Sequence, residues 1–206
     1  MRARTAASVA AALMLVSCRP AGPPPAIDPR LARAVPGDAS AIAGFKPEAL
    51  RGLAGGFAAD RYVVIAVRGS EVLTLTLSPA GAAGARTAPG AMSPLLIEAE
   101  PLAAHYPAWA VIRGGTTLPL EGNLANFNRL FRDTELVTIA AQFGDRVALE
   151  LNARCSTPQD ASRFEGSLRA ILLLTRLAPS TQVQRDDRKV HASLVASPES
   201  VSSLLH

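Results

Sequence analysis

Arg146-Val147-Ala148-Leu149-Glu150-Leu151-Asn152-Ala153-Arg154-Cys155 is the stretch that decides the fold. Val147, Leu149, Leu151, Ala153 and Cys155 share one face, and Arg146, Glu150, Asn152 and Arg154 share the other. An apolar–polar alternation of period two is the mark of a strand in an antiparallel sheet with one covered and one wetter face. Leu136 to Phe143 reads as its hairpin partner across Gly144-Asp145. After the strand, Ser156 or Thr157 opens a long helix over Pro158 to Leu177, with Phe164, Leu168, Ile171, Leu172 and Thr175 along one seam. Ile171 to Leu174 is apolar all round, so that end of the helix is expected to be deeply buried.

Working outward, a last hairpin runs through Gln182 to Arg185 and Lys189 to Val195, and Pro198 opens a terminal helix. Upstream, Asn123 caps a helix with Leu124, Phe127, Leu130 and Phe131 at helical spacing. Trp109 lies in a strand from Ala108 to Arg113. Leu95 to Ile97 reads as a strand, Pro101 to His105 as a short helix, and Pro79 to Ser93 as a surface loop. Tyr62 to Arg68 and Val72 to Leu77 form a hairpin across Gly69-Ser70, and Ala39 to Phe45 a short strand followed by a helix near Pro47 to Arg51.

Hairpins with helices laid on one face make the fold class α+β. Aligning the Ile42 strand with the Trp109 strand, and the Tyr62 hairpin with the Val137 hairpin, suggests two degenerate halves, 35–107 and 108–206, in one compact unit.

The amino terminus carries a different message. Arg2 and Arg4 form a basic region, and Ala6 to Val16 is apolar apart from Ser8, which is the plan of a secretory signal peptide. The run is too short to span a bilayer, which takes about 20 apolar residues. Leu15-Val16-Ser17-Cys18 resembles the lipobox of bacterial prolipoproteins. That resemblance implies acylation of the Cys18 sulfur, cleavage after residue 17 and acylation of the new amino terminus. The implied product is exported and lipid-anchored in the cell envelope, with its domain in the periplasm or at the cell surface. Arg19 stands where an Asp would retain a lipoprotein in the inner membrane under the enteric sorting rule, which favours the outer membrane. Pro20, Pro23, Pro24, Pro25 and Pro29 make residues 18–34 an extended tether, with folding expected from Val35.

Further motifs carry a second resemblance. Val35-Pro36-Gly37-Asp38-Ala39 with Ala43-Gly44, Leu120-Glu121-Gly122-Asn123-Leu124-Ala125-Asn126, and Thr134-Glu135-Leu136-Val137-Thr138 resemble a group of uncharacterised bacterial envelope proteins with repeated βαββ-like units. The group implies fold and location, and no activity.

Composition excludes more than it proposes. Without Arg2 and Arg4 the 21 Lys and Arg fall to 19 against 17 Asp and Glu, a net charge of +2. The basic residues are scattered among acids with few aromatics, which is no nucleic-acid footprint. Past Cys18 the one cysteine is Cys155, so the lipidated chain has no internal disulfide to form. His105, His191 and His206 show no zinc-ligand spacing, so no metal is expected. There is no Gly-x-Ser-x-Gly elbow, no phosphate loop and no dinucleotide fingerprint, and hence no cofactor is expected. Cys155 falls on the core-facing stripe, where thiols are inert. Glu98, Glu100, Glu135 and Glu150 cannot be paired as catalytic carboxylates from sequence alone, and Glu98 with Glu100 fits a solvated strand edge.

What remains are candidate surface contacts, Trp109, Arg146 and Arg154, of residue types enriched in binding hot spots. The reading is a membrane-anchored lipoprotein with a non-enzymatic binding, assembly or scaffolding role, its partners the membrane and another envelope protein. The alternatives are an envelope hydrolase with an unrecognised site, and a carrier of an apolar small molecule, which predicts an apolar pocket between sheet and helices.

Overall fold

The computed structural model describes residues 26–47, 62–77, 92–120, 125, 127–174 and 181–202. The decisive stretch forms β6 (Val147–Cys155), with Val147, Ala153 and Cys155 buried and Asn152 and Arg154 exposed. It pairs on one side with β5 (Thr134–Phe143) and on the other with β8 (Lys189–Ala196), and β7 (Thr181–Asp186) pairs with β8. The β7–β8 turn holds Asp187 at φ 47°, a left-handed conformation that Asp tolerates better than most side chains. In the first half β1 (Ala41–Phe45), β2 (Val63–Arg68) and β3 (Glu71–Thr76) form a meander, with Gly69 at φ 59° in the β2–β3 turn. β4 (Ala108–Arg113) joins the halves by pairing with both β1 and β5. The result is one antiparallel eight-stranded sheet in the order β3-β2-β1-β4-β5-β6-β8-β7. The α+β class stands. The first six strands run outward symmetrically from the β1–β4 pair, and the β7–β8 hairpin extends one side.

The helices are divided between the two faces, a correction to the expectation of one helical face. Residues paired across strands share a face. Ala41, Val67, Ile112, Val137, Ala153 and Val190 share one, covered by α3 (Asn128–Phe131) and α4 (Pro158–Leu174) through Leu130, Phe131, Phe164, Leu168 and Leu172. Ile42, Ala66, Trp109 and Val111 share the other, covered by α1 (Pro29–Ala34) and α2 (Leu95–His105) through Leu31, Leu95, Leu96, Ala99 and Ala103. Alternation within a strand reports that a face is covered. It does not say whether two distant strands turn the same face to their helices, because that depends on pairing register.

Thr157 caps α4: its Oγ1 accepts from the Asp160 amide at 3.1 Å and donates to Asp160 Oδ2 at 2.7 Å. Glu165 on α4 holds Arg169 at 2.9 Å and Arg185 of β7 at 3.0 Å, tying the edge strand to the helix. Both guanidiniums, Arg169 first, keep its carboxyl below the ordinary range.

Other expectations change. Folding starts by Ala26 rather than Val35: Ile27 is 1% exposed and Leu31 2%, and Asp28 caps α1 by accepting from the Arg30 amide. Pro29 therefore sits in the first turn of a helix, where its missing N–H costs nothing, and not in the tether. Leu95 to Ile97 is helix, continuous with the turns to His105; Leu95, Leu96, Ala99 and Ala103 bury at helical spacing, and Pro101 is carried inside. A three-residue apolar run carries no period of its own, which is why it reads as a strand. Of the expected Asn123-capped helix, Asn128–Phe131 is helical, and Asn123, Leu124 and Asn126 lie outside the described residues. Leu173 and Leu174 are 68% and 83% exposed rather than buried, because they lie off the seam of Ala161, Phe164, Leu168 and Leu172, with Ile171 beside it, by which α4 packs on the core. α5 (Pro198–Ser202) begins where expected. The helix expected at Glu48 to Arg51, most of the 79–93 loop, and residues 1–25 with Cys18 lie outside the described residues.

Candidate binding groove

α2 covers its face of the sheet over β1 and β4. On the same face β5, β6, β8 and β7 present the polar side of their alternation, and the twist of the sheet makes the surface concave beside α2. A groove of about 410 Å³ lies there, lined by Glu98 of α2, Thr138 of β5, Asn152 and Arg154 of β6, and Lys189 and His191 of β8.

Its charges are arranged in contact with one another. Arg154 stands directly opposite Lys189 in the β6–β8 register, a like-charge pair that would be destabilising alone. Two carboxylates offset it: Arg154 Nε lies 3.3 Å from Glu135 Oε2, and Nη2 lies 3.8 Å from Glu98 Oε1. Arg154 thus bridges β6 to β5 and to α2. One register step along, His191 Nδ1 is 2.8 Å from Asn152 Oδ1. With that amide oxygen as acceptor, Nδ1 is the donor. Where α2 ends, Tyr106 donates its hydroxyl to Glu150 Oε2 at 2.9 Å, and this bond to the neutral phenol raises the Tyr106 pKa.

Of the residues singled out by sequence, the groove contains Arg154 alone. Arg146 sits in the β5–β6 turn, exposed, outside the groove lining. Trp109 is corrected as a surface contact: it is 3% exposed in β4, inside the sheet, and its Nε1 donates to the Tyr62 hydroxyl at 2.6 Å. Gly44 makes room for this pair, since a Cβ there would lie 2.6 Å from Tyr62 Oη and closer still to the Trp109 indole. Burial, the largest cause, pushes the Tyr62 phenol up to about 12.

His191, which shows no zinc-ligand spacing, and Glu98, which fits a solvated strand edge, carry no sequence mark of their own as groove residues. The parity of Lys189 and His191, matching that of Asn152 and Arg154, was the available signal. Its meaning depended on β6 and β8 being neighbours. Glu98 and Glu100 do not share a strand face; both are on α2, Glu98 toward Arg154 and Glu100 accepting from the Ala26 amide.

The opposite sheet face holds an apolar groove of about 290 Å³ over the first half, between Ala41, Ala43, Ile65 and Ile112 and the rim of Leu118 and Leu120. Cys155 is 0% exposed, and burial pushes its thiol up to about 11, so it stays protonated and closed to substrates at neutral pH. Among the described residues no three of His, Cys, Asp and Glu converge as metal ligands, and no helix is long and apolar enough to cross a membrane.

No family model matches the chain, and neither does any curated protein. Among solved structures it is similar to TP0453 in crystal form I, at 9% identity and a TM-score of 0.47, over 87% of this chain and 96% of that one.

Proposed function

We propose that this chain is a lipid-anchored protein of the bacterial envelope with a non-enzymatic binding or assembly role, and that the polar groove beside α2 is its contact surface. The observation that carries the reading is the state of the groove's side chains. Arg154 is shared by Glu98 and Glu135, and His191 is bonded to Asn152. These are mutually satisfied pairs on an open sheet face, the composition of a recognition surface, where a nucleophile held against a base would mark a catalytic one. The lipobox at Leu15 to Cys18 supports the anchor.

Two measurements test it. Cys18→Ala is expected to abolish acyl labelling and leave uncleaved precursor; a normally processed, membrane-partitioned product would refute the anchor. A photo-crosslinker at position 152 is expected to trap one recurrent envelope partner, and Arg154→Ala to remove that adduct, while a crosslinker at position 163 on the exposed side of α4 gives none. The same products from both positions would refute the groove.

The apolar groove supports a second reading, a carrier of an apolar small molecule. It lies on a sheet face rather than between sheet and helices, so such a ligand would lie against Ile65 and Ile112. Saturable binding of a fluorescent fatty acid that Ile65→Asp abolishes would favour it.

A further inference from the structure

α2 is apolar on two sides. Leu95, Leu96, Ala99 and Ala103 face the sheet. Ile97, Pro101 and Ala104, at the next helical spacing, form an outward stripe that is exposed; Ile97 is 78% exposed, and Met92, just before the helix, 67%. A helix that is hydrophobic all round is normally covered all round. The carboxylates flanking the stripe are occupied, Glu98 beside Arg154 and Glu100 on the Ala26 amide, so neither projects as a free charge.

The same helix holds the end of the tether. The Ala26 amide donates to Glu100 Oε1, and Ile27 is buried next to it. From Cys18 to Ala26 is eight residues, so even fully extended the chain reaches about 27 Å. Resting on the lipid-anchor reading, the α carbon of the acylated residue can be no farther than that from the flank of α2. That tie keeps the flank of α2 within about 27 Å of the bilayer, and the exposed apolar stripe, which no described residue covers, lies on the same helix.

We propose that the outward face of α2, with Ile97 at its centre and Met92 beside it, docks on the surface of the phospholipid bilayer that carries the anchor. The helix lies in the interface without spanning it, with its apolar side chains at the boundary between headgroups and acyl chains. Docking sets the orientation of the domain: the polar groove, whose rim includes Glu98, then opens close to the membrane plane, and the exposed side of α4, on the opposite sheet face, points away.

The acylated full chain in phosphatidylethanolamine–phosphatidylglycerol vesicles decides this. An environment-sensitive fluorophore on Ile97→Cys is expected to lose about half its emission to a quencher attached to the lipid acyl chains, as an interfacial depth of 5–10 Å requires. The same fluorophore on Arg163→Cys is expected to lose less than about a tenth, since α4 stands on the other side of the sheet. Moving the fluorophore to Ala104→Cys and adding Met92→Asp and Ile97→Asp is expected to abolish the quenching; both substituted side chains are exposed, so the fold is spared, which circular dichroism checks. Equal quenching at 97 and 163, or none at 97 with Cys18 shown by mass to be acylated, would overturn the proposal. If Cys18 is not acylated, the anchor reading fails separately. The chain starting at Cys18, coupled through that thiol to a maleimide lipid, then gives the docking its own answer by the same two criteria.

Discussion

Gly44→Ala tests whether the centre of the sheet is packed as described. A Cβ at position 44 would lie 2.6 Å from the Tyr62 hydroxyl oxygen and within the van der Waals envelope of the Trp109 indole. Neither neighbour is free to retreat, because Trp109 is 3% exposed and its Nε1 is bonded to that hydroxyl. Forcing a methyl group into a filled core typically costs about 1–3 kcal/mol. Breaking the indole–hydroxyl bond adds about 1 kcal/mol. Replacing glycine restricts the unfolded chain and returns about 0.4–1 kcal/mol. The net expectation is a loss of about 1–3.5 kcal/mol in urea unfolding followed by circular dichroism. Trp109 is the sole tryptophan, so its emission reports the disturbance directly. The double-mutant cycle with Trp109→Phe, which removes the benzo ring beside position 44, should show about 1–2 kcal/mol of coupling. A loss under about 0.5 kcal/mol with unchanged emission, or an additive cycle, would refute the reasoning.

Three other outcomes follow from the same geometry. Burial raises Tyr62 to about 12 and the bond to Glu150 raises Tyr106, so little tyrosinate absorbance should develop in the native protein at pH 10, where unfolded chain has titrated half its phenol. Because the unfolded phenol ionises first, the stability Tyr62 contributes is intact below about pH 10 and lost as pH rises toward 12; two native phenols titrating near 10 would contradict this. In the Cys18→Ala chain Cys155 is the sole thiol, and it should resist a thiol reagent at about pH 8 until urea unfolds the domain; prompt labelling of native protein would show the site to be open. Arg154→Ala should cost less than about 1 kcal/mol, since its ion pairs are half exposed, yet eliminate partner capture at the groove; a large stability loss would make Arg154 a structural bridge instead.

The second half of the chain was legible because its signals are local. β6 alternates over nine residues, Thr157 sits where a cap is needed, and the Phe164–Leu168–Leu172 seam keeps helical spacing. The first half was harder. β2 buries Val63, Val64, Ala66 and Val67, on both of its faces, so it has no alternation to show which side the helices take. Leu95 to Ile97 is too short to declare a period, and Pro101 argued against the helix that contains it. α1 was hidden by Pro29, whose neighbours in sequence look like a spacer. The groove was half legible. Asn152, Arg154 and His191 could each be assigned to a wetter face, but their meeting depends on a β6–β8 pairing that crosses α4 and β7 in sequence. Glu98 enters it only because Leu95–His105 is one helix.

The division of the helices also accounts for the opposite character of the polar groove and the apolar one. β1 and β4 are apolar on both sides at the centre of the sheet; α2 lies over them on one face, while α3 and α4 lie over β5 to β8 on the other. Away from that centre each half is left with one face that no described helix crosses. On the second half the open face is the polar side of β6 and β8, which is stable in water, so it can remain open without cost. On the first half it carries Ala43, Ile65 and Ala110, small or branched apolar side chains with Leu118 and Leu120 at the rim. Apolar surface of this kind contributes about 25 cal/mol per Å² when covered. Under the proposed function, contact with a polar envelope partner would fall to the groove of Asn152, Arg154 and His191. The stripe of Ile97 lies on that same face of the sheet, so docking through α2 brings the polar groove, and not the apolar one, toward the membrane.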